Sequence, residues 1–144
     1  MPLAIALALF ALPGPIGDDD SGPILSLLRK QADDWNRADL DAFMETYWKS
    51  PQLVFQSGGT RSEGWETVRD RYRKRYQGEG KAMGKLEFKG IEAESLGPDS
   101  AFARGRWELT MPDGTRPGGL FTLILRKKAE GWRIVHDHTS ADTP

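Results

Sequence analysis

The sequence predicts one α+β domain, in which N-terminal helices pack on a strongly curved antiparallel sheet. Apolar residues recur at three- and four-residue spacing through most of residues 23–77, whereas from about residue 83 onwards they alternate with polar residues. Helices that come first and strands that follow are typical of α+β domains. The length of 144 residues suits a single domain.

The composition argues against several classes of protein. The chain has 20 Lys and Arg against 21 Asp and Glu, and this balance argues against nucleic-acid binding, which needs a surplus of positive charge. No apolar run reaches the roughly 20 residues of a membrane-spanning helix. Because the chain has no cysteine, it has neither disulfides nor thiolate metal sites. No phosphate-binding loop or metal-ligand cluster stands out, so we expect neither a cofactor nor a metal.

The first residues differ from the rest of the chain. Residues 3–12 read LAIALALFAL, an apolar run with the length of a signal-peptide hydrophobic region. No Lys or Arg precedes it, so a misplaced start codon or a frayed apolar tail is the alternative. We expect a secreted or periplasmic protein, or a cytoplasmic one if this segment is not a signal peptide. The predicted organisation is a leader over 1–22, a domain over 23–140 and a tail over 141–144.

Two helices, or one bent helix, are predicted next. Pro23 suits the first turn of a helix whose apolar face carries Ile24, Leu27, Leu28, Ala32 and Trp35. The period breaks after this helix, and Asp39 can cap a second one. The apolar stripe of the second helix consists of Leu40, Phe43, Met44 and Tyr47.

A short strand and a third helix follow. Residues 53–57 read LVFQS and predict a strand, and Ser62 can cap the helix after it. One face of this helix carries Trp65, Val68, Tyr72 and Tyr76. The opposite face carries Arg69, Arg71, Arg73, Lys74 and Arg75. Because acidic residues lie between these basic ones, we expect a solvated face that is paired within the chain.

Four strands complete the predicted sheet. Alternating patterning places them near residues 83–95, 101–111, 118–128 and 132–139. The face of the second strand that we expect to meet the helices carries Ala101, Ala103, Gly105, Trp107, Leu109 and Met111. The third strand is apolar on both faces, which indicates that a second subunit covers its outer face. In the last strand, one face carries Trp132, Ile134, His136 and His138, and the other carries Arg133, Val135, Asp137 and Thr139.

Residues from about 24 to 140 resemble the nuclear transport factor 2-like superfamily. The matching stretches are WNRADL at 35–40, EGW at 63–65 and GWRIVHDHTS at 131–140. The last stretch is similar to the end of the association (hub) domain of calcium/calmodulin-dependent protein kinase type II. The chain is also similar to small bacterial SnoaL-like proteins of unknown function, many of them exported. The resemblance implies a cone-shaped fold, which hosts enzymes, binding modules and oligomerisation domains.

The resemblance also implies a pocket between the concave face of the sheet and the third helix. Alignment with the hub domain places in this pocket Val68, Tyr72, Tyr76, Trp107, Leu109, Leu123, Asp137 and Thr139. The hub pocket holds an acidic ligand with His and Arg, at positions where this chain has Val68, Leu123 and Thr139. The resemblance therefore favours a small and mostly apolar ligand.

Asp137 is the candidate catalytic residue. Apolar neighbours would raise its pKa, and it could then act as a general base that removes a proton next to a carbonyl group. The alternative is a structural carboxylate that pairs with Arg133 or caps backbone amides. Tyr72 and Tyr76 could donate hydrogen bonds to a developing oxyanion, or could simply pack in the core.

The two histidines, His136 and His138, share one face of the last strand. Such a pair can seed a metal site, but no third ligand is evident nearby. We expect them to join Trp132 and Ile134 in an interface on the convex face of the sheet. The predicted assembly is therefore a homodimer.

Three functions stay open at this point. The first is the binding of a small molecule in an apolar cone pocket, without a cofactor or a metal. The second is a cofactor-independent isomerase, dehydratase or cyclase, in which Asp137 moves a proton and Tyr72 or Tyr76 steadies an enolate. The third is a dimerisation module without catalytic activity, whose pocket would be filled by its own aromatic side chains.

Overall fold

The computed structural model of the protein describes residues 22–143. Its helices are α1 (Gly22–Asn36), α2 (Leu40–Met44) and α3 (Trp65–Tyr76). Its strands are β1 (Val54–Ser57), β2 (Thr60–Glu63), β3 (Lys85–Gly97), β4 (Ser100–Thr110), β5 (Gly118–Lys128) and β6 (Gly131–Thr139). The predicted signal peptide lies outside the described residues, apart from its last residue. Within this range, no helix is long and apolar enough to cross a membrane.

The first two helices are separate because the backbone reverses between them. Ala38 has a positive φ of 57°, and the Asp39 side chain then accepts a hydrogen bond from the backbone N–H of Ala42 at 3.0 Å. The predicted cap is confirmed. The Asn36 amide also exchanges two hydrogen bonds, of 3.0 and 2.7 Å, with the backbone of Leu86. These bonds attach the end of α1 to β3.

The sheet has the order β2-β1-β6-β5-β4-β3. Strands β3 to β6 form the predicted antiparallel meander. The sheet departs from the predicted antiparallel pairing at one place, where β1 pairs with β6 in parallel and sets Phe55 opposite Asp137. The first three strands of the meander, together with β2 and α3, lie between β1 and β6 in the sequence, so local patterning carries no sign of their pairing.

Residues 60–63 form β2, a strand that the periodicity does not predict. Gly58 and Gly59 have φ values of 57° and 75°, and this left-handed backbone turns β1 back onto β2. Ser62 consequently pairs with Phe55 across the hairpin. The prediction that Ser62 caps α3 is therefore wrong, and α3 begins directly after Gly64.

A β-bulge in β6 changes which residues face the core. The pairing of β6 with β5 slips by one residue at Val135. Ile134 and Asp137 are therefore both buried, with 0% and 3% of their surfaces exposed. Trp132 also packs against the core. The prediction that Trp132 and Ile134 lie on the convex face with the two histidines is thus wrong.

The core lies between the helices and one face of the sheet. The predicted inward face of β4 is confirmed, since Ala101, Ala103 and Leu109 are buried. Leu120, on the opposite face of the neighbouring β5, is 61% exposed. One sheet face is thus closed by the helices, and the other has an exposed apolar residue.

Candidate ligand cavity

A cavity of about 400 Å³ opens between the helices and the inner face of the sheet. Its wall is largely aromatic and includes Trp35, Phe43, Phe55, Tyr72, Tyr76, Phe88, Trp107 and Phe121. The ring of Trp35 meets two others edge to face, at 5.0 Å from Phe43 and 4.8 Å from Tyr76 between centres. The aromatic side chains therefore pack on one another and leave the cavity open.

Most of the residues that sequence comparison places in the pocket line this cavity: Tyr72, Tyr76, Trp107, Leu109, Leu123, Asp137 and Thr139. Val68 is not among the lining residues. It is fully buried near the start of α3, where it packs in the core.

Asp137 presents its carboxyl group to the cavity from β6. The hydroxyl of Tyr47 donates a hydrogen bond to its Oδ2 atom at 2.7 Å, and the hydroxyl of Thr139 donates to its Oδ1 atom at 2.7 Å. The hydroxyls of Tyr47 and Tyr72 are 3.4 Å apart. A chain of three polar groups therefore runs from Asp137 to Tyr72 within an aromatic surrounding.

Burial has the largest effect on the pKa values of these three polar groups. Loss of water raises the pKa of Asp137 from its ordinary value of 3.8 to about 6, although the hydrogen bonds from Thr139 and Tyr47 pull it down. Burial, and then the nearby Asp137 charge, also raise the pKa of Tyr47 and Tyr72 well above 10.0. Both phenols thus keep their protons at neutral pH, and Asp137 changes charge near it.

The mouth of the cavity is polar. Ser57, Gly58 and Thr60 of the β1–β2 hairpin lie on its rim, together with Arg71 and Arg75 of α3. The two arginines are four residues apart and therefore share one face of the helix. Part of the predicted basic face of α3 thus borders the cavity and is not simply a solvated surface.

The C-terminal segment forms another part of the rim. The backbone N–H of Asp142 donates to the carbonyl of Gly118 at 2.8 Å, and the indole N–H of Trp107 donates to the carbonyl of Ser140 at 2.9 Å. Ala141 lines the cavity. A Cβ atom at Gly119 would lie 1.9 Å from the Ser140 oxygen, so only glycine permits this close approach.

Sequence reasoning missed two buried polar residues of the cavity, in addition to the polar residues of its mouth. Tyr47 bonds to Asp137 because a β-bridge to Ile134 holds it beside β6, and no local pattern indicates this bridge. Gln31 lines the cavity and donates to the hydroxyl of Thr46 at 2.8 Å. Its signal is in the sequence, since it is a polar residue at helical spacing within the apolar stripe of α1.

The histidines lie on the other side of the sheet from the cavity. His136 is half-buried and His138 is exposed. Burial, the neighbouring His138 and then Arg61 lower the pKa of His136. In the part of the chain that the structure describes, no three His, Asp or Glu side chains are close enough together to hold a metal ion.

This geometry is that of a nuclear transport factor 2-like domain, in which helices pack on a curved, mostly antiparallel sheet around a cavity. The chain belongs to the SnoaL-like domain family, whose sequence model matches residues 24–144. The predicted fold and superfamily are therefore confirmed. No curated protein matches the chain.

Solved structures agree with this assignment. A nuclear transport factor 2-like protein of unknown function from Shewanella oneidensis is 37% identical, with a TM-score of 0.78, and the match covers 84% of this chain and 98% of that one. A ketosteroid isomerase-like protein from Erwinia carotovora atroseptica is 24% identical, with a TM-score of 0.70 and coverages of 89% and 100%. A candidate calcium/calmodulin-dependent protein kinase II association domain from Xanthomonas campestris is 16% identical, with a TM-score of 0.66 and coverages of 83% and 85%.

Proposed function

We propose that the protein binds a small, mostly apolar molecule in the cavity. The observation that carries this proposal is the open aromatic cavity, which at about 400 Å³ is within the roughly 300–1,000 Å³ typical of small-molecule sites. Such sites combine apolar walls with a few polar groups that orient the ligand. Here the polar groups are Asp137, Tyr47, Tyr72 and the arginines of the rim. No cofactor is needed for this role.

Native mass spectrometry of the purified chain, followed by release and identification of bound compounds, tests this proposal. We expect a small apolar compound to co-purify, or an added apolar compound to bind with a ratio of one per chain. Leu123→Trp is the matched control, because Leu123 lines the cavity and a larger side chain there would occupy its volume. A folded wild-type chain that takes up no apolar compound would contradict the proposal.

A second candidate function, proton transfer, is supported by the surroundings of Asp137. A carboxylate with a pKa of about 6 is a suitable general base near neutral pH. It could remove a proton next to a carbonyl group of the bound molecule, while the Tyr72 hydroxyl, 3.4 Å from that of Tyr47, donates to the developing oxyanion. The same chemistry fits an isomerase, a dehydratase or a cyclase.

Binding and catalysis can be separated with one substitution. Asp137→Asn keeps the size and the hydrogen-bond acceptor of the side chain but cannot accept the proton. If Asp137 is the base, the variant still binds the compound found by mass spectrometry but does not promote exchange of that compound's acidic C–H protons with D₂O, measured by NMR. Equal exchange in both proteins would rule out this role.

We also propose that the outer face of the sheet forms a homodimer interface. Leu120 is 61% exposed there, and Ile124 and His136 are paired neighbours on the same face. Leu120→Glu would place charge in this interface and should give a monomer in analytical ultracentrifugation. Leu96→Glu, at a leucine that is 56% exposed near the β3–β4 turn, is the control. An unchanged sedimentation coefficient for Leu120→Glu would contradict this interface.

Export is proposed from the apolar run at residues 3–12. Mass spectrometry of the protein from its native cells should give a chain that lacks about the first 22 residues, the leader length taken from the sequence pattern. A chain that keeps the whole run would contradict export with cleavage.

A further inference from the structure

The rim arginines differ from Arg69 and Arg73, the other arginines of α3, which form ion pairs with Asp70 and Asp41. Arg73, which does not line the cavity, forms an ion pair with Asp41 at 2.7 Å. Arg71 and Arg75 line the cavity and have no salt-bridge partner within residues 22–143. Two uncompensated positive charges therefore stand at the mouth of an apolar cavity.

Both guanidinium groups are held against aromatic rings of the cavity wall. Arg71 lies 4.9 Å from the ring centre of Phe55 and donates hydrogen bonds to Ser62 Oγ and the Ser57 carbonyl, at 3.0 and 3.2 Å. Arg75 lies 5.5 Å from the ring centre of Tyr76. Among residues 22–143, its one hydrogen bond is donated from Nε to the Tyr76 hydroxyl at 3.2 Å. The terminal N–H groups of Arg75 are thus available, and Arg71 adds a fixed charge beside them.

The inside of the cavity has the opposite character. Asp137 is the buried acid there, and its charge would repel an anionic group placed next to it. The aromatic walls offer no compensation for a buried charge. An anionic group of a bound molecule therefore finds its favourable position at the rim, and the apolar part of that molecule finds it inside.

We propose that the ligand is an organic anion, whose compact aromatic or aliphatic body fills the cavity and whose single carboxylate or sulfonate group binds Arg75 beside Arg71. This inference rests on the proposed function and specifies the chemical class of its ligand. It also sets the orientation: the end of the molecule opposite the anionic group lies towards Tyr47, Tyr72 and Asp137.

A matched pair of fluorescent probes tests the class. 8-Anilinonaphthalene-1-sulfonate and N-phenyl-1-naphthylamine share one aromatic body, and only the first carries an anionic group. We expect the wild-type protein to bind the sulfonate about tenfold more tightly than the neutral probe, the size of effect that one charge-assisted hydrogen bond supplies. Titration at low ionic strength, followed by probe fluorescence, measures both dissociation constants.

Arg75→Gln should abolish the preference for the sulfonate, by weakening the binding of the sulfonate about tenfold more than that of the neutral probe. Lys74→Gln is the matched control, since it removes the same charge from the adjacent residue, which is exposed and does not line the cavity. We expect Lys74→Gln to keep the preference. If both variants lowered it equally, the preference would come from the general charge of the helix, and the Arg75 site would be refuted.

Failure of this inference can be told apart from failure of the proposed function. If both probes bind equally to the wild-type protein and Leu123→Trp excludes them, the apolar cavity stands and the organic-anion class is wrong. If neither probe binds, or if Leu123→Trp leaves binding unchanged in a folded protein, both proposals are wrong.

Discussion

Asp137→Asn should stabilise the protein at neutral and alkaline pH. The pKa of Asp137 is about 6 in the folded chain and close to 3.8 when the chain unfolds, so the folded protein binds the proton more tightly. Asp137 makes its full contribution to the free energy of unfolding below about pH 4. This contribution is lost as the pH rises through 6, because the buried carboxyl group is then ionised. At 1.36 kcal/mol per pH unit, the loss is about 3 kcal/mol by pH 8.

The asparagine variant lacks this titration. Its amide can still accept one of the two hydroxyl hydrogen bonds, but rearrangement of the other costs about 1 kcal/mol. The variant should therefore be the more stable protein at pH 8 by about 2 kcal/mol and the less stable one at pH 4 by about 1 kcal/mol.

Urea unfolding, followed by tryptophan fluorescence at several values between pH 4 and pH 8, measures this difference. Exposed ion pairs titrate alike in both proteins and cancel when the two free energies of unfolding are subtracted. A difference that is constant with pH would refute the reasoning, because it would mean that Asp137 titrates alike in the folded and unfolded chains. If Asp137→Asn stabilises the protein but no longer transfers a proton, the Asp137 carboxylate is retained for its function at a cost in stability.

Two further substitutions test the contacts around the cavity. Tyr47→Phe removes a hydroxyl that donates to Asp137, so the pKa of Asp137 should rise above about 6 in a carboxyl ¹³C NMR titration; a fall would contradict the hydrogen bond. Asn36→Ala breaks both hydrogen bonds to the backbone of Leu86 and should lower the free energy of unfolding by about 2 kcal/mol in urea; a change below about 0.5 kcal/mol would show that they contribute little.

Local periodicity was enough to predict the helices and the meander. The α1 stripe ends where Ala38 reverses the backbone, and the four long strands lie close to their predicted ranges. Such features depend on neighbours within a few residues, which the sequence shows directly. The cavity residues of β4, including Trp107 and Leu109, follow from the same alternation.

Long-range pairing explains what the sequence did not reveal. The bulge at Val135 reverses the alternation within β6, so Ile134 lies in the core and not in the predicted interface. Tyr47 reaches Asp137 only because a bridge joins it to β6. Arg71 is held at the rim by hydrogen bonds to Ser57 and Ser62 of the β1–β2 hairpin, and that hairpin depends on the unpredicted strand β2. None of these arrangements leaves a periodic signal.

The most direct test of the central claim is a titration of the Asp137 carboxyl group by ¹³C NMR, with and without N-phenyl-1-naphthylamine. We predict a pKa of about 6 for the free protein and a higher one with the probe, because an apolar molecule in the cavity removes water from the carboxylate. A pKa near 3.8 that the bound probe does not change would contradict the claim that Asp137 lies in a ligand-binding cavity.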